Sequence, residues 1–452
     1  MEPTMERDLE MFRRRRRALL HRMRSLGGGV LLLPAAEEKL RNPSAEYLFR
    51  QDSDHYYVTG FDEPEGCALL IAGKCGAEAA ADEDRPELVM FVRPRDKEKE
   101  IWTGYRAGVE GAREVYGADQ AYPVAELEAR LPGLLDKAGP LWFRLGVDPA
   151  WDARVGRAIA ELRNRSRAGS EPPPEVKDLE LLLHEARLVK SPEEVARLRR
   201  AAEITAEAHM AAMRDGQPGR REGQVQAEIE YAFRRRGGAG PGYGTIVATG
   251  VNGCVLHYRA GDTVLKDGEL CLVDAGGEYD LYTADVTRTF PVNGAFSKPQ
   301  RALYELVLES QLAAMEAVKP GATLDAVHDV CVRKLVEGMI RLGLLQGGVD
   351  ERIEDKGFRR YYMHRTSHWL GMDVHDVGAY YLDGKSRPLA AGMVLTVEPG
   401  LYVAPDDAQA PEEFRGIGIR IEDDLVVTGS GYENLTDAVP KTVEEVESTC
   451  VR

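Results

Sequence analysis

Two features that the sequence lacks limit what the protein can bind. No apolar run approaches the ~20 residues that a transmembrane helix needs, which argues against a membrane protein of that kind. Positive charge is in deficit, because 59 lysines and arginines face 75 aspartates and glutamates, for a net charge of −16. A protein that neutralises phosphates needs a basic surface. We therefore expect neither a membrane nor a nucleic acid among its partners.

Cysteine is scarce and unpatterned. The six cysteines form no C-x-x-C pair: Cys67, Cys75, Cys254, Cys271, Cys331 and Cys450. Scattered thiols of this kind are typical of a reducing compartment and not of a disulfide framework, so we expect a cytoplasmic protein. The amino-terminal basic run, residues 13–17, lacks the apolar stretch of a signal peptide. It could contact nucleic acid or lipid, but we favour the charged face of a terminal helix that also carries Met11, Phe12, Leu19 and Leu20.

The length of 452 residues exceeds what one hydrophobic core usually serves, so we expect two domains. The clearest break is "RAGSEPPPEVKD", residues 167–178, where three consecutive prolines forbid a helix and favour an extended connector. Before it, short apolar runs alternate with polar helical stretches, which predicts an α/β domain over residues 1–172. A linker is predicted at 173–179 and a second domain at 180–452.

A pattern of two helices followed by strands occurs twice in the second domain. The first copy begins at Ser191, where "SPEE" is a capping box with proline at the first helical position. The second copy begins after Lys298 and Pro299 with "QRALYELVLESQLAAMEAV". Two similar halves predict one duplicated α+β domain, in which a site often lies between the halves.

Two aspartates lie in an apolar stretch of the first half. The segment "ELCLVDAGGEYDLYTADVTRTF" predicts a hairpin that turns about Tyr279 and Asp280. In that register Asp274 lies opposite Asp285, with the two side chains about 5 Å apart at Cβ. Carboxylates so close repel each other unless a proton or a cation lies between them. Each aspartate alone could instead be a solvent-facing strand residue.

A second pair of acids lies in the second half. Glu398 ends the apolar strand "GMVLTVEPGLYV", and Glu422 shares a strand face with Arg420 in "RGIGIRIEDDLVV". Four carboxylates embedded in apolar strands predict a metal site, since their shared burial is otherwise costly. Their four negative charges balance two divalent cations, and a ligand set rich in oxygen favours Mn²⁺, with Co²⁺ or Zn²⁺ possible by affinity. Two such metals activate water and polarise a carbonyl, which is hydrolytic chemistry.

The stretch "YMHRTSHWLGMDVHD" contains His364, His368 and His375. The spacing of His364 and His368 would direct both imidazoles at one cation if the stretch were helical. The residues alone leave two alternatives, a three-histidine metal site or one ligand accompanied by two histidines with other tasks.

The ordered residues Asp274, Asp285, His368, Glu398 and Glu422 resemble the metal ligands of bacterial Xaa-Pro aminopeptidases (aminopeptidase P). Their flanks "VDAG", "DVTRTFPV", "SHWLG", "VEPGLY" and "GIRIEDD" are similar too, and "EYLFRQDSDHYYVTGFDEPEG" and "RPRDKEKEIWTGYRAG" resemble the amino-terminal domain of that family. The resemblance implies a pita-bread catalytic domain and two divalent metal ions, with manganese favoured. It also implies that Asp274 holds one metal, that His368 and Glu398 hold the other, and that Asp285 and Glu422 bridge both.

The resemblance extends to the substrate. It implies that Glu398 accepts the proton of the attacking water, and that His257 and His375 contact the peptide and stabilise charge in the transition state. Tyr243 and His364 would line the pocket for the proline ring, which makes His364 a substrate residue and leaves His368 as the single imidazole ligand. Any of these histidines could instead have a purely structural role.

Three further residues complete the implied site. Arg420 and Tyr402 would orient it, although Arg420 could be only the counter-charge of Glu422. Trp102 would reach the active site of a neighbouring subunit, which implies a homo-oligomer such as a homotetramer. A lone tryptophan is otherwise more often part of a core.

The implied reaction is the release of the first residue from peptides with proline in second position. An X–Pro bond has no amide N–H, so a ring-shaped pocket would supply the selectivity that such a donor gives elsewhere. The nearest alternative is a prolidase, which cleaves Xaa-Pro dipeptides. A second alternative is a pita-bread protein that binds peptides without catalysis.

Overall fold

The computed structural model describes residues 3–73 and 86–450, with side chains from Leu9 onward. The chain forms two compact units, Met1–Ala186 and Arg187–Arg452. Cys75 lies outside the described residues. The five described cysteines are free thiols, and all but Cys254 are buried. None of the described helices is both long enough and apolar enough to cross a membrane.

The first unit is built on a six-stranded mixed sheet in the order β6-β5-β4-β1-β7-β8. Its strands, with the separate pair β2–β3, are β1 (Gly29–Pro34), β2 (Leu40–Asn42), β3 (Ala45–Glu46), β4 (Cys67–Gly73), β5 (Leu88–Val92), β6 (Gln120–Pro123), β7 (Leu141–Trp142) and β8 (Val176–Lys177). The helices are α1 (Pro3–Ser25), α2 (Ser53–Thr59), α3 (Lys97–Thr103), α4 (Gly108–Glu114), α5 (Leu127–Leu135), α6 (Pro149–Asn164) and α7 (Leu183–Leu188), whose end passes into the second unit.

Strand β5 explains why this sheet carries helices on both faces. Its five residues are apolar, and successive side chains point to opposite sides. Val89 and Phe91 join a core with apolar residues of α5 and α6, whereas Leu88, Met90 and Val92 join a second core that includes Ala112 of α4. The predicted α/β domain is confirmed.

The amino-terminal helix α1 buries the four predicted apolar side chains: Met11, Phe12, Leu19 and Leu20. The basic run, residues 13–17, lies on this helix as predicted, but two of its arginines, Arg15 and Arg16, are buried. Arg16 Nη1 donates to the Val58 carbonyl at 3.0 Å, and the Arg15 guanidinium lies 4.1 Å from the centre of the Tyr57 ring. Five consecutive residues turn through more than one full circle of a helix, so some of these arginines must face the protein.

The proline-rich segment leads into the last strand of the first unit. Its start is a 3-10 turn at Ser166–Ala168, and Val176 of β8 pairs in parallel with Leu141 of β7. The predicted linker, residues 173–179, therefore contains a short strand. The domain limits 1–172 and 180–452 stay a prediction.

The second unit repeats one helical pattern. Its helices are α8 (Pro192–Asp215), α9 (Glu222–Arg235), α10 (Lys298–Glu316), α11 (Leu324–Arg341), α12 (Val349–Glu354) and α13 (Val443–Cys450). The predicted capping box begins α8, because the Ser191 hydroxyl accepts from the Glu194 N–H at 3.4 Å and the Ser191 N–H donates to the Glu194 carboxylate at 3.0 Å. Helix α10 begins in the same way, with the Ser297 N–H donating to the Gln300 side chain at 2.9 Å. The predicted duplication is confirmed.

Short antiparallel sheets follow each pair of helices. The strands of the first half are β9 (Gly240–Pro241), β10 (Ile246–Thr249), β11 (Leu270–Asp274), β12 (Gly277–Tyr279), β13 (Tyr282–Thr283) and β14 (Thr287–Pro291). They form two sheets, in the orders β10-β11-β14 and β13-β12-β9. The strands of the second half are β15 (Tyr381–Leu382), β16 (Lys385–Ser386), β17 (Val394–Val397), β18 (Gly400–Tyr402), β19 (Gly418–Arg420), β20 (Asp423–Val427) and β21 (Tyr432–Asn434). They form three sheets, in the orders β17-β20-β21, β18-β19 and β15-β16.

The hairpin between β12 and β13 turns one residue later than predicted. Tyr279 pairs with Tyr282, so the turn residues are Asp280 and Leu281 and not Tyr279 and Asp280. Both turn residues have positive φ, 50° and 60°. A two-residue turn with φ positive at both positions matches the right-handed twist of the flanking strands, although glycine or asparagine usually occupies it.

Candidate metal centre

Strand ends of the first half bring two aspartates together. Asp274 is the last residue of β11 and pairs with Thr287 of β14. The predicted pairing of Asp274 with Asp285 is therefore wrong by two residues. Asp285 nevertheless lies beside it, because the Tyr243 hydroxyl is 2.6 Å from an oxygen of each carboxylate. A phenol has one proton and can donate it to one of them at a time. The other carboxylate needs a proton or a cation.

The second half contributes two glutamates. Glu398 directly follows β17, and its N–H donates to the Thr366 carbonyl at 2.8 Å. Glu422 lies between β19 and β20, where its N–H donates to the Thr287 carbonyl at 3.0 Å. The Thr287 hydroxyl donates in turn to the Glu422 carboxylate at 2.6 Å. Thr287 therefore fixes Glu422 against the strand that follows Asp285.

His368 lies among these carboxylates. Its Nε2 is 3.3 Å from Asp285 and 3.5 Å from Glu398, while its Nδ1–H donates to the Trp369 carbonyl at 3.0 Å. That hydrogen bond leaves Nε2 directed at the acids, as a metal-ligating histidine requires. Asp285, His368 and Glu422 each offer a ligand atom, and these atoms all lie within 4.8 Å of one another.

The electrostatics of this cluster call for positive charge. Burial raises the pKa of Glu398 to about 7, even though the charge of His368 opposes the shift. Burial and the neighbouring Asp285 raise the pKa of Glu422 well above its usual value, and burial raises the pKa of Asp285. Burial lowers the pKa of His368, but the hydrogen bond to Asp285 and the charge of Glu398 raise it to about 9. The raised pKa values mean that these carboxylates and the imidazole of His368 keep their protons because nearby positive charge is lacking. Divalent metal ions would supply that charge, and the oxygen-rich donor set fits them.

Asp274 lies at the edge of the cluster and is ion-paired. Arg420 Nη2 donates to its Oδ2 at 2.6 Å, so Arg420 is the counter-charge of Asp274 and not only of Glu422. The same guanidinium donates through Nε to Thr287 at 3.1 Å and through Nη1 to the Tyr402 hydroxyl at 3.0 Å. The structure thus brings all five predicted ligands into one region.

Residues 361–371 are irregular and not helical, so the helical spacing that would direct His364 and His368 at one cation is absent. The His364 Nδ1–H donates to the Arg365 carbonyl at 2.8 Å, and its Nε2 accepts from the Tyr402 hydroxyl at 2.9 Å. Burial and the charge of Arg420 lower the pKa of His364 to about 4. A neutral His364 therefore ends a hydrogen-bonded series that begins at Arg420.

A cavity of about 1230 Å³ opens onto the cluster. His257 and His375 are exposed and line it, together with Tyr243 and His364. The ring of His375 lies 4.5 Å from that of His368 and perpendicular to it, and burial together with the charge of His368 lowers the pKa of His375. Trp102 belongs to the first unit and is 87% exposed, which makes it a surface residue and not part of a core.

Sequence reasoning missed three buried groups that support the ligands. The Thr396 hydroxyl accepts from the His368 N–H at 3.1 Å, and the Asp424 carboxylate accepts from the Asp285 N–H at 3.0 Å. Thr287 has the contacts described above. The sequence did contain a signal, because each of the three lies two residues from a predicted ligand, which is the spacing of residues on one face of an extended chain.

Comparison with known proteins identifies the family. The model of metallopeptidase family M24 matches residues 196–429, and that of the aminopeptidase P amino-terminal domain matches residues 12–142. The chain is 46% identical to the Xaa-Pro aminopeptidase of Escherichia coli, covering 97% of each chain, and 40% identical to that of Haemophilus influenzae, covering 97% of this chain and 96% of the relative.

Solved structures agree. The aminopeptidase PepP of Pseudomonas aeruginosa superposes with a TM-score of 0.94 at 47% identity, over 98% of each chain. A zinc-substituted aminopeptidase P of E. coli, solved with its product, gives a TM-score of 0.92 at 45% identity over 98% of each chain. The expected pita-bread catalytic domain, preceded by an α/β domain, is confirmed. The chain belongs to metallopeptidase family M24, among the members that carry the aminopeptidase P amino-terminal domain.

Proposed function

We propose that the protein is a Xaa-Pro aminopeptidase, which hydrolyses the first peptide bond of peptides with proline in second position. The observation that carries the proposal is the set of four carboxylates and one imidazole that line an open cavity, of which Asp274, Asp285 and Glu422 are buried and Glu398 and His368 half-buried. The relatives named above, which match this chain nearly end to end, act on substrates of that class by their names.

Two divalent ions would be held by Asp274, Asp285, His368, Glu398 and Glu422. Such ions supply Lewis acidity and lower the pKa of bound water. We propose manganese, since oxygen donors outnumber nitrogen four to one and harder ions prefer oxygen.

Glu398 would hold and move the proton. Its carboxylate lies 3.5 Å from His368 Nε2, and burial raises its pKa to about 7. A base with a pKa near the working pH both accepts a proton from water and returns it to a leaving nitrogen. That nitrogen must gain a proton to leave as an amine, and the nitrogen of an X–Pro bond carries none beforehand.

The cavity wall would bind and orient the peptide. His257 and His375 are exposed there and can donate to the carbonyl oxygen as it gains charge. Tyr243 and His364 line the cavity and would contact the proline side chain. Tyr402 and Arg420 would hold His364 in the tautomer described above.

We further propose a homo-oligomer, such as a homotetramer, in which Trp102 reaches a neighbouring subunit. Its high exposure leaves the indole available for such a contact. A cytoplasmic location, with neither nucleic acid nor membrane as partner, remains our proposal from the cysteine pattern and the net charge of −16.

The test is a manganese-supplemented assay that compares Xaa-Pro-Xaa tripeptides, Xaa-Pro dipeptides and tripeptides without proline. We expect turnover of the first class only, and none by Glu398→Ala. Preference for the dipeptides would favour the prolidase alternative. Peptide binding without turnover by the metal-loaded protein would favour the non-catalytic one, and wild-type turnover by Glu398→Ala would refute the mechanism.

A further inference from the structure

The loop that carries His257 has little regular structure of its own. Residues 250–263 contain a 3-10 turn at Gly250–Cys254 and otherwise lie outside helices and long strands. Even so, five consecutive residues of this loop, 256–260, line the cavity. A loop that presents a reacting group must be held by something outside itself.

One buried carboxylate makes contacts along the loop. Glu222, in the first turn of α9, is 0% exposed. Its Oε1 accepts from the Thr249 N–H and from Asn252 Nδ2, both at 2.9 Å. Its Oε2 accepts from the Tyr258 hydroxyl at 3.0 Å and from the Gly261 N–H at 3.3 Å. The two oxygens therefore hold the loop at its start, before and after His257, and near its end.

The backbone beside Glu222 holds the far end of the same loop. The Glu222 N–H donates to the Thr263 carbonyl at 3.1 Å, and the Gly223 N–H donates to the Gly261 carbonyl at 2.9 Å. Arg221 Nη1 donates to the Asp262 carbonyl at 2.7 Å. The first turn of α9 therefore acts as a rigid edge for the loop.

We infer that Glu222 is a positioning residue, which fixes the loop of residues 250–263 and thereby sets His257 against the substrate. The inference rests on the proposed function for its catalytic consequence. All four partners of the carboxylate are donors. Glutamine has nearly the same shape but turns one acceptor into an NH₂ group, which would face two of these donors and accept from neither.

The first test is kinetic. Glu222→Gln should lower kcat/KM for an Xaa-Pro-Xaa tripeptide about 10- to 100-fold, the range for losing hydrogen bonds to a buried charge. Glu228→Gln, a half-buried change on the same helix, should leave it within about twofold. In a His257→Ala background, Glu222→Gln should have little further effect, because both changes remove the same interaction. Losses that multiply in the double variant would overturn the inference.

The second test does not depend on activity. Amide hydrogen exchange at Thr249 and Gly261 should accelerate at least tenfold in Glu222→Gln and stay unchanged in Glu228→Gln, with bound manganese retained in both. Unchanged exchange in Glu222→Gln would overturn the inference. If the wild-type protein does not cleave Xaa-Pro-Xaa tripeptides, the proposed function is refuted. The exchange rates at Thr249 and Gly261 would still show whether Glu222 holds the loop. If Glu222→Gln does not fold, Asn252→Ala replaces it, since this change removes one of the four donors to the Glu222 carboxylate. The same two measurements, kcat/KM and amide exchange, then decide the inference.

Discussion

Removing the metal ions should make the stability of the second unit fall as pH rises. Without metal, the folded pKa of His368 is about 9, above its ordinary 6.5, because Asp285 and Glu398 outweigh its burial. A raised folded pKa means that the folded state binds the proton more tightly than the unfolded chain does. That stabilisation is complete below about pH 6.5 and is lost as pH rises through about 9. The raised pKa of Glu398, about 7, acts in the same direction from pH 4.5 upward.

The size of the effect follows from the shift. A change from 6.5 to about 9 corresponds to about 3 kcal/mol at about 1.4 kcal/mol per pKa unit. His368 and Glu398 share one cluster, so their contributions overlap and do not add. For a unit of this size, 3 kcal/mol corresponds to a decrease in Tm of about 6–12 °C between pH 6.5 and 9.

Scanning calorimetry of chelator-treated protein across this pH range measures the decrease. Metal-loaded protein should change less, because the ions supply the positive charge in place of the proton. His368→Gln, which cannot take up that proton, should remove the contribution of the imidazole to the pH dependence of the metal-free protein and leave that of the carboxylates. A metal-free Tm that stays constant or rises from pH 6.5 to 9 would refute the reasoning, as would an equal fall in His368→Gln.

Two substitutions behind the site should cost stability for different reasons. A Cβ on Gly276 would lie 1.7 Å from the Ala284 carbonyl oxygen, so Gly276→Ala should lower the free energy of unfolding by about 3 kcal/mol, measured in urea. The control is Gly429→Ala, where a Cβ would meet open space and should cost under about 1 kcal/mol. Arg288→Met would remove the guanidinium that donates to the buried Asp423 at 2.8 Å while Lys441 stays at 3.0 Å, at a cost of about 1–3 kcal/mol. A loss below about 1 kcal/mol, as for a surface ion pair, would contradict that account.

Patterns that depend on local chemistry were readable from the sequence. The capping box at Ser191 and the proline after it indicated the start of α8, and the apolar strand pattern placed Glu398 within one residue of the end of β17. The grouping of carboxylates in apolar strands indicated where positive charge is needed. These features depend on residue type and spacing, which the sequence contains.

Features set by tertiary contacts were not readable. Positive φ at Asp280 and Leu281 depends on the twist of the flanking strands. The turn therefore lies one residue later than predicted, and the pairing of the two strands is shifted by two residues. The ion pair of Arg420 with Asp274 joins residues far apart in the chain. The contacts of Glu222 with its loop likewise connect a helix to a segment that sequence reasoning treats separately.

The division of the candidate ligands between two halves has a consequence for biosynthesis. Asp274 and Asp285 are translated before His368, Glu398 and Glu422, so the nascent chain carries only the two aspartates while residues 286–367 are added. A pair of aspartates is a weak and unselective trap for any abundant cation. Stable capture must wait until the last glutamate has left the ribosome and β20 has paired with β17. We therefore expect metal loading to follow the folding of the second half.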